Sequence, residues 1–219
     1  MVHRALPRSM EAPWTHTFPR DGAGAAKLVF EHGLAPRVTV RGAPLGDTLA
    51  RCRFEGEAPV LAARGNELRV DYRGFFRWFF LGRMAPGDVE INAEIPWTIH
   101  IDGGVARTDL DLSGIDLRQF EIRGGAARVE LTLGKPRGIV PLRITGGAAR
   151  LAIRHPPGVA SRLRVGGGVA HLDYGEQRLG AVGGGIALES RGWDAAGDGY
   201  DIKIGGGAAH LAVLPEGTA

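Results

Sequence analysis

The chain has 219 residues, 44 % of them hydrophobic and 23 % charged, with 35 glycines and 13 prolines. Lys and Arg exceed Asp and Glu by only 27 to 24 and form no polybasic run, so the charge argues against a nucleic-acid partner. Cys52 is the only cysteine, which excludes an internal disulfide, and no stretch reaches the roughly 18 to 20 apolar residues of a spanning helix.

In chain order, residues 1–20 contain prolines and no periodicity, and are expected to form a flexible lead-in to a single domain over 21–215. The opening M-V-H-R-A-L-P-R-S-M-E-A-P-W lacks the apolar centre of a signal peptide. The expected location is the cytoplasm, with membrane association through a partner as the alternative. Alternation begins near Ala25 with K-L-V-F-E-H, and Gly33 to Val40 reads as a first, divergent coil. Leu49–Glu55 and Asn66–Tyr72 read as further strands. Residues 25–100 are therefore expected to be irregular coils and a cap.

Phe75, Phe76, Trp78, Phe79, Phe80 and Leu81 form the densest aromatic cluster, interrupted by Arg77 and flanked by Arg73 and Arg83. It reads either as a cover over one end of the fold or as an exposed patch that docks a membrane surface or a partner. Phe75, Phe76, Trp78 and Phe79 are for that reason candidate interaction residues. Asp88 to Ile101 resumes the alternation.

Close copies of one unit then fill residues 101–214. They are I-D-G-G-V-A-R-T-D-L at Ile101, I-R-G-G-A-A-R-V-E-L at Ile122, I-T-G-G-A-A-R-L-A-I at Ile144, V-G-G-G-V-A-H-L-D-Y at Val165 and I-G-G-G-A-A-H-L-A-V at Ile204. A weaker copy, V-G-G-G-I-A-L-E-S, begins at Val182. The last glycines step by 21, 22, 21, 17 and 22 residues, a period typical of stacked units that are each too small to bury an apolar face alone. Within a copy, Ala127, Val129, Leu131 and Leu133 alternate with Arg128, Glu130 and Thr132, as on an extended strand. Leu142 and Ile144 alternate in the same way before the glycines. The Gly pairs suit either a backbone bend with positive φ or a close approach between coils. The fold class expected is all-β: a parallel β-solenoid, β-helix-like, with coils of about 21–22 residues and a less regular N-terminal capping region.

If each unit climbs one strand spacing in sequence order, equivalent residues form columns. One outward column is Arg107, Arg128, Arg150, His171, Leu188 and His210; the next is Asp109, Glu130, Ala152, Asp173, Ser190 and Ala212. The first reads either as a solvated face whose charge the second column offsets, or as an anion-binding stripe. Its candidate interaction residues are Arg107, Arg128, Arg150, His171 and His210.

Chemistry-bearing patterns are sparse. In this stacking Leu188 separates His171 from His210 by two coils, near 10 Å, too far to share a zinc ion. His3, His16, His32, His100 and His155 have no ligand spacing, so no metal and no cofactor are expected. Asp109, Asp111 and Asp116 with Arg118 could make an acid–base patch of the kind glycosidic cleavage needs, but alternating Asp is also an ordinary wet face. Gly183-Gly184-Gly185 lacks the Lys and the following helix of a phosphate loop. Ser113, Ser161 and Ser190 lack a nucleophile-elbow context. No catalytic residue is assigned.

The reiterated G-G-A-A-R-L-x-I units with Leu-Arg-Ile strands between them resemble the bacterial toast-rack and putative-adhesin families, including the C-terminal domain of LiaF-type and phage-shock-type membrane-stress proteins. The resemblance covers about Ala25 to Leu214 and is strongest from Ile95 onward. It implies a right-handed stacked parallel β-structure that acts in cell-envelope stress sensing or as an interaction platform, and it transfers no catalytic residue. The expected function is a non-enzymatic interaction or scaffold module, linked to envelope stress sensing or adhesion, that binds a protein partner or its own copies. An anionic envelope polymer or a membrane surface is a further candidate partner. The alternative is a protein that binds or cleaves polysaccharide.

Overall fold

The computed structural model describes residues 14–22, 24–32, 38–55, 59–72 and 87–217, and among these every regular element is a strand. The less repetitive half supplies β1 (Trp14–Pro19), β2 (Ala26–Glu31), β3 (Val38–Ala43), β4 (Thr48–Phe54), β5 (Val60–Arg64), β6 (Glu67–Asp71) and β7 (Gly87–Asn92). The glycine-rich half supplies β8 (Trp97–Asp102), β9 (Val105–Leu112), β10 (Leu117–Arg123), β11 (Ala126–Leu133), β12 (Ile139–Ile144) and β13 (Ala148–His155). It continues with β14 (Ala160–Val165), β15 (Val169–Tyr174), β16 (Gln177–Leu179), β17 (Ile186–Glu189), β18 (Gly199–Ile204) and β19 (Ala208–Pro215). β1 occupies the end of the segment read as a lead-in and pairs with β4.

The strands form two sheets. One has the order β1-β4-β7-β3-β9-β11-β13-β19-β15-β16, the other β17-β14-β18-β12-β10-β8-β2-β6-β5. Each full glycine-rich unit contributes one strand to each sheet and turns between them at its glycines. The middle of both sheets is parallel, but β1–β4, β4–β7, β5–β6, β14–β17 and β15–β16 pair antiparallel. The all-β expectation therefore holds, while the sheets are mixed rather than wholly parallel. The antiparallel pairs lie toward the ends, where short returning strands cover ladder edges that would otherwise stand open.

The stacking order also departs from sequence order. β19 lies between β13 and β15 in one sheet, and β18 lies between β12 and β14 in the other. The unit at Val165 thus lies two strand spacings from its predecessor, and the last unit fills the place between them. The other end is similar: β6 and β7 lie outside β2 and β3, and the chain then returns to place β8 and β9 inside. The weak copy at Val182 is not a coil in the stack. Val182 makes a single bridge to Val169, and β17 pairs antiparallel with β14, placing Leu188 opposite Leu163 in the second sheet.

One apolar core fills the space between the sheets. In β11 the buried residues are Ala126, Val129, Leu131 and Leu133, whereas Ala127 and Arg128 both turn outward. This corrects the placement of Ala127 on the inner side. The same slip recurs after the first residue of β13, β15 and β19, so neighbours remain matched, with Ala126 opposite Ala148 and Arg128 opposite Arg150. Alternation counted back from Val129 misses it because a shared slip leaves the ladder in register.

Of the two uses open to the Gly pairs, close approach dominates. A Cβ on Gly124 would sit 2.4 Å from the Gly103 carbonyl oxygen, and one on Gly206 2.7 Å from the Gly147 nitrogen. Among the glycines of these units only Gly103 and Gly185 have positive φ. Two large buried polar side chains in the core are bonded: Asn92 Nδ2 donates to the carbonyls of Gly46 and Thr48, and Tyr200 Oη donates to that of Gly134.

Candidate interaction face

The outer face of the ten-stranded sheet carries the residues of the basic column, in an order set by the inserted last unit. Arg107 is opposite Arg128, Arg128 opposite Arg150, Arg150 opposite His210, and His210 opposite His171. Arg107, Arg150, His171 and His210 are exposed, and Arg128 is half-buried. Leu188 is absent from this row because it belongs to the other sheet. His171 and His210, expected two coils apart, are therefore immediate neighbours: their rings stack with centroids 4.7 Å apart and planes 8° apart.

The acidic column does not run beside the whole row. Next but one along each strand stand Asp109, Glu130, Ala152, Ala212 and Asp173, in spatial order. Arg128 is engaged by its own Glu130 at 3.1 Å, and Glu130 also approaches Arg154 at 3.7 Å. Arg150 and His210 have alanine in the equivalent place. Arg150 makes no ion pair among the described residues, so positive charge is least compensated where the Arg residues meet the histidines.

The opposite sheet offers a contrasting cation row. Arg143 lies opposite Lys203, and Lys203 opposite Arg164. Here carboxylates intervene. Asp201 accepts from Arg164 Nη2 at 2.7 Å and from Arg162 Nε at 3.1 Å, and Glu121 is the neighbour of Arg143 on β10. Partial burial pushes the Asp201 carboxyl up, but the two guanidiniums together hold it below its ordinary value. Of that row, Arg164 is ion-paired, to Asp201.

The remaining sequence candidates separate. Phe75, Phe76, Trp78 and Phe79 lie outside the described residues. Asp111 accepts from Ser113 Oγ at 2.6 Å, whereas Asp116 is taken by Arg118 at 2.8 Å and Arg137 at 3.4 Å, so these carboxylates are committed to local turns. One group escaped the spacing argument altogether. Glu31, His32 and Asp71 bring a ligand atom each within 4.8 Å of one another, because β2 and β6 are parallel neighbours with Glu31 opposite Asp71. His32 Nδ1 is 2.9 Å from Asp71 Oδ1, while Glu31 is held by Arg69 at 2.6 Å. These are the residues that could hold a metal ion, although the Arg69 charge opposes one. The sequence carries no local signal for them, since strand pairing alone joins them.

A cleft of about 470 Å³ opens at the turn edge of the last units, lined by His155, Ser161, Tyr174, Glu176, Glu189 and Arg191 among others. Its floor is internally bonded. Tyr174 Oη donates to the Ser161 carbonyl at 2.6 Å, and Ser190 Oγ accepts from the Ser161 amide at 2.7 Å. Burial pushes the His155 imidazole below its ordinary value. No helix among the described residues is long and apolar enough to cross a membrane.

Comparison with known proteins places this geometry. Residues 79–154 match the family model described as the N-terminal domain of toast_rack. A solved structure described as a putative cell adhesion protein from Clostridium sporogenes ATCC 15579 shares the fold, with a TM-score of 0.61 at 14 % identity over 94 % of this chain and 100 % of that one. A putative adhesin from Bacteroides fragilis NCTC 9343 aligns with 10 % identity over 94 % of this chain and 97 % of that one, at a TM-score of 0.26 that adds nothing to the fold assignment. No protein with a curated description matches. The resemblance read from the Gly-Gly units is borne out as a resemblance: residues 79–154 are similar to the toast-rack N-terminal domain, and the fold is shared with a solved putative cell adhesion protein.

Proposed function

We propose that the protein is a non-enzymatic, adhesin-like interaction module whose working surface is the outer face of the ten-stranded sheet. The observation that supports this most is the matched row Arg107–Arg128–Arg150–His210–His171, which presents basic side chains from five successive strands on one sheet face. Parallel β-stacks hold such rows at a spacing near 4.8 Å, which suits a partner with regularly repeated groups. The core strands act as a short parallel solenoid in this reading, with the antiparallel strands at both ends limiting end-to-end addition of further copies. A role in the cell envelope agrees with the relatives' description as adhesins.

The test is charge reversal. Crosslinked affinity purification from the native host with Arg107, Arg128 and Arg150 all changed to Glu should lose partners that the unmodified protein retains. Reversal of Arg143 and Lys203 on the opposite face should leave capture intact. Equal loss from both faces, or from neither, would contradict the assignment of the working surface.

A further inference from the structure

The row is not uniform, and its unevenness points to a partner. Arg128 spends its charge on Glu130 in the same strand. Arg107 is followed by Asp109, and at the far end His171 is followed by Asp173, which lies opposite Arg178 on β16. Only Arg150 and His210, on adjacent strands, are followed by alanine, Ala152 and Ala212. An anion approaching this face therefore meets least repulsion at Arg150 and His210, and His171 stacks against His210 at the edge of that stretch, with its Asp173 set opposite Arg178. The residues just before them in the strands, Ala149, Ala209 and Ala170, are small and exposed. The site is a shallow shelf without a wall.

We infer that Arg150, His210 and His171 bind a linear acidic polysaccharide, one carboxylate-bearing chain lying across the strands, and that binding tightens in acid. This deepens the platform reading above and rests on it. Cations in single file at strand spacing match a polymer with an anionic group on each unit. Among the described residues, no Phe, Tyr or Trp lies on the shelf to stack a nucleobase. Guanidinium and imidazole supply donors for both carboxylate and hydroxyl oxygens.

The acid dependence follows from the stacked pair. Imidazole is the side chain that ordinarily changes charge between about pH 5 and 8. A carboxylate bound beside the two stacked imidazoles and Arg150 places negative charge against them and so favours the charged form of the rings. Proton uptake and polymer binding are then linked with positive sign: the polymer favours the protonated pair, so lower pH favours the polymer. The other charged groups facing the pair are Asp173, on the same strand as His171, and Arg178 on β16, opposite Asp173.

The test is binding of polygalacturonate, with dextran as the uncharged control and anionic vesicles as the bilayer control. The wild-type protein should bind polygalacturonate and not dextran, tightening by about tenfold between pH 8 and pH 5.5. Arg150→Glu should weaken binding by about tenfold or more, while Arg107→Glu should weaken it less. The double variant His171→Gln, His210→Gln should lose the pH dependence, with thermal melts checking that each variant is folded. Absence of polygalacturonate binding, preference for vesicles, or a pH dependence that persists in the double Gln variant would overturn the inference. If polygalacturonate fails while charge reversal still abolishes capture of host partners, the platform reading survives without this partner. Failure of both measurements removes both.

Discussion

His210 stands between Arg150 and His171, directly opposite each, although the Val165 unit follows the Ile144 unit in sequence. The final unit thus completes both sheets from within. The last unit is bonded to both neighbours, with the Ala148 amide donating to the Gly207 carbonyl on one side and the Ala208 amide donating to the Gly168 carbonyl on the other. Removing residues 199–219 should accordingly do more than trim an end: it separates β13 from β15 and β12 from β14. We expect such a truncation to lose cooperative unfolding of the glycine-rich half, monitored by circular dichroism in denaturant, whereas a trimmed edge strand would leave most of the transition intact.

The glycines give a sharper local test. Gly206→Ala places a Cβ 2.7 Å from the Gly147 nitrogen, backbone that has no room to move, whereas Gly183→Ala meets nothing within 4 Å. The first should destabilise by about 1 to 3 kcal/mol or more and the second by far less. Comparable midpoints in urea for the two variants would show that the coils are not in close contact at these positions.

Leu131 and Leu151 are each 1 % exposed in the core between the sheets. Truncation of either to Ala should cost about 2 to 5 kcal/mol. Arg128→Ala, on the outer face of the same strand as Leu131, should fall within about 0.5 kcal/mol of wild type.

Much of this was legible beforehand, and the residues show why. Val129, Leu131 and Leu133 alternate over a strand long enough to reveal its period, so the strand and its buried side follow directly. The basic column was likewise legible in its members Arg107, Arg128 and Arg150, because repeats that are consecutive in sequence are adjacent in space there. The place of His210 was not legible. Its unit is as good a copy as any other, and local sequence says nothing about whether a copy extends the stack or enters it. The Glu31–His32–Asp71 group escaped for a related reason, since parallel pairing of β2 with β6 joins residues that no motif spans. Asn92 also gave no signal, although its side chain ties the carbonyls of Gly46 and Thr48 and accepts from the Glu94 amide.

Cys52 offers a chemical probe of that less regular half. It is fully buried, and burial pushes its thiol up to about 12. In the native protein it should resist a thiol reagent such as DTNB at neutral pH and react only as the molecule opens. Prompt stoichiometric labelling would show that β4 is not packed as described.

Acid should weaken the fold through His155. Burial lowers its pKa in the folded state below the ordinary value near 6.5, so the unfolded chain binds the proton more readily. Stability contributed by the neutral ring is therefore present above about pH 6.5 and is lost as the pH falls through the folded-state value. His100 shifts in the same direction, also chiefly by burial, and should add to the effect. Between about pH 7 and pH 5 the wild type should lose stability more steeply than His155→Leu, measured by urea titration at each pH. Parallel curves would mean that His155 is not buried in the neutral form.

The basic face exists only if the last unit is inserted, and disulfide trapping tests that most directly. Neighbouring strands lie about 4.8 Å apart, within reach of a disulfide, whereas two spacings lie beyond the roughly 7 Å limit between Cα atoms. In a Cys52→Ser background, Arg150→Cys with His210→Cys should form an intramolecular disulfide on mild oxidation, and Arg150→Cys with His171→Cys should not. The reverse outcome would restore sequence-order stacking and dissolve the proposed site.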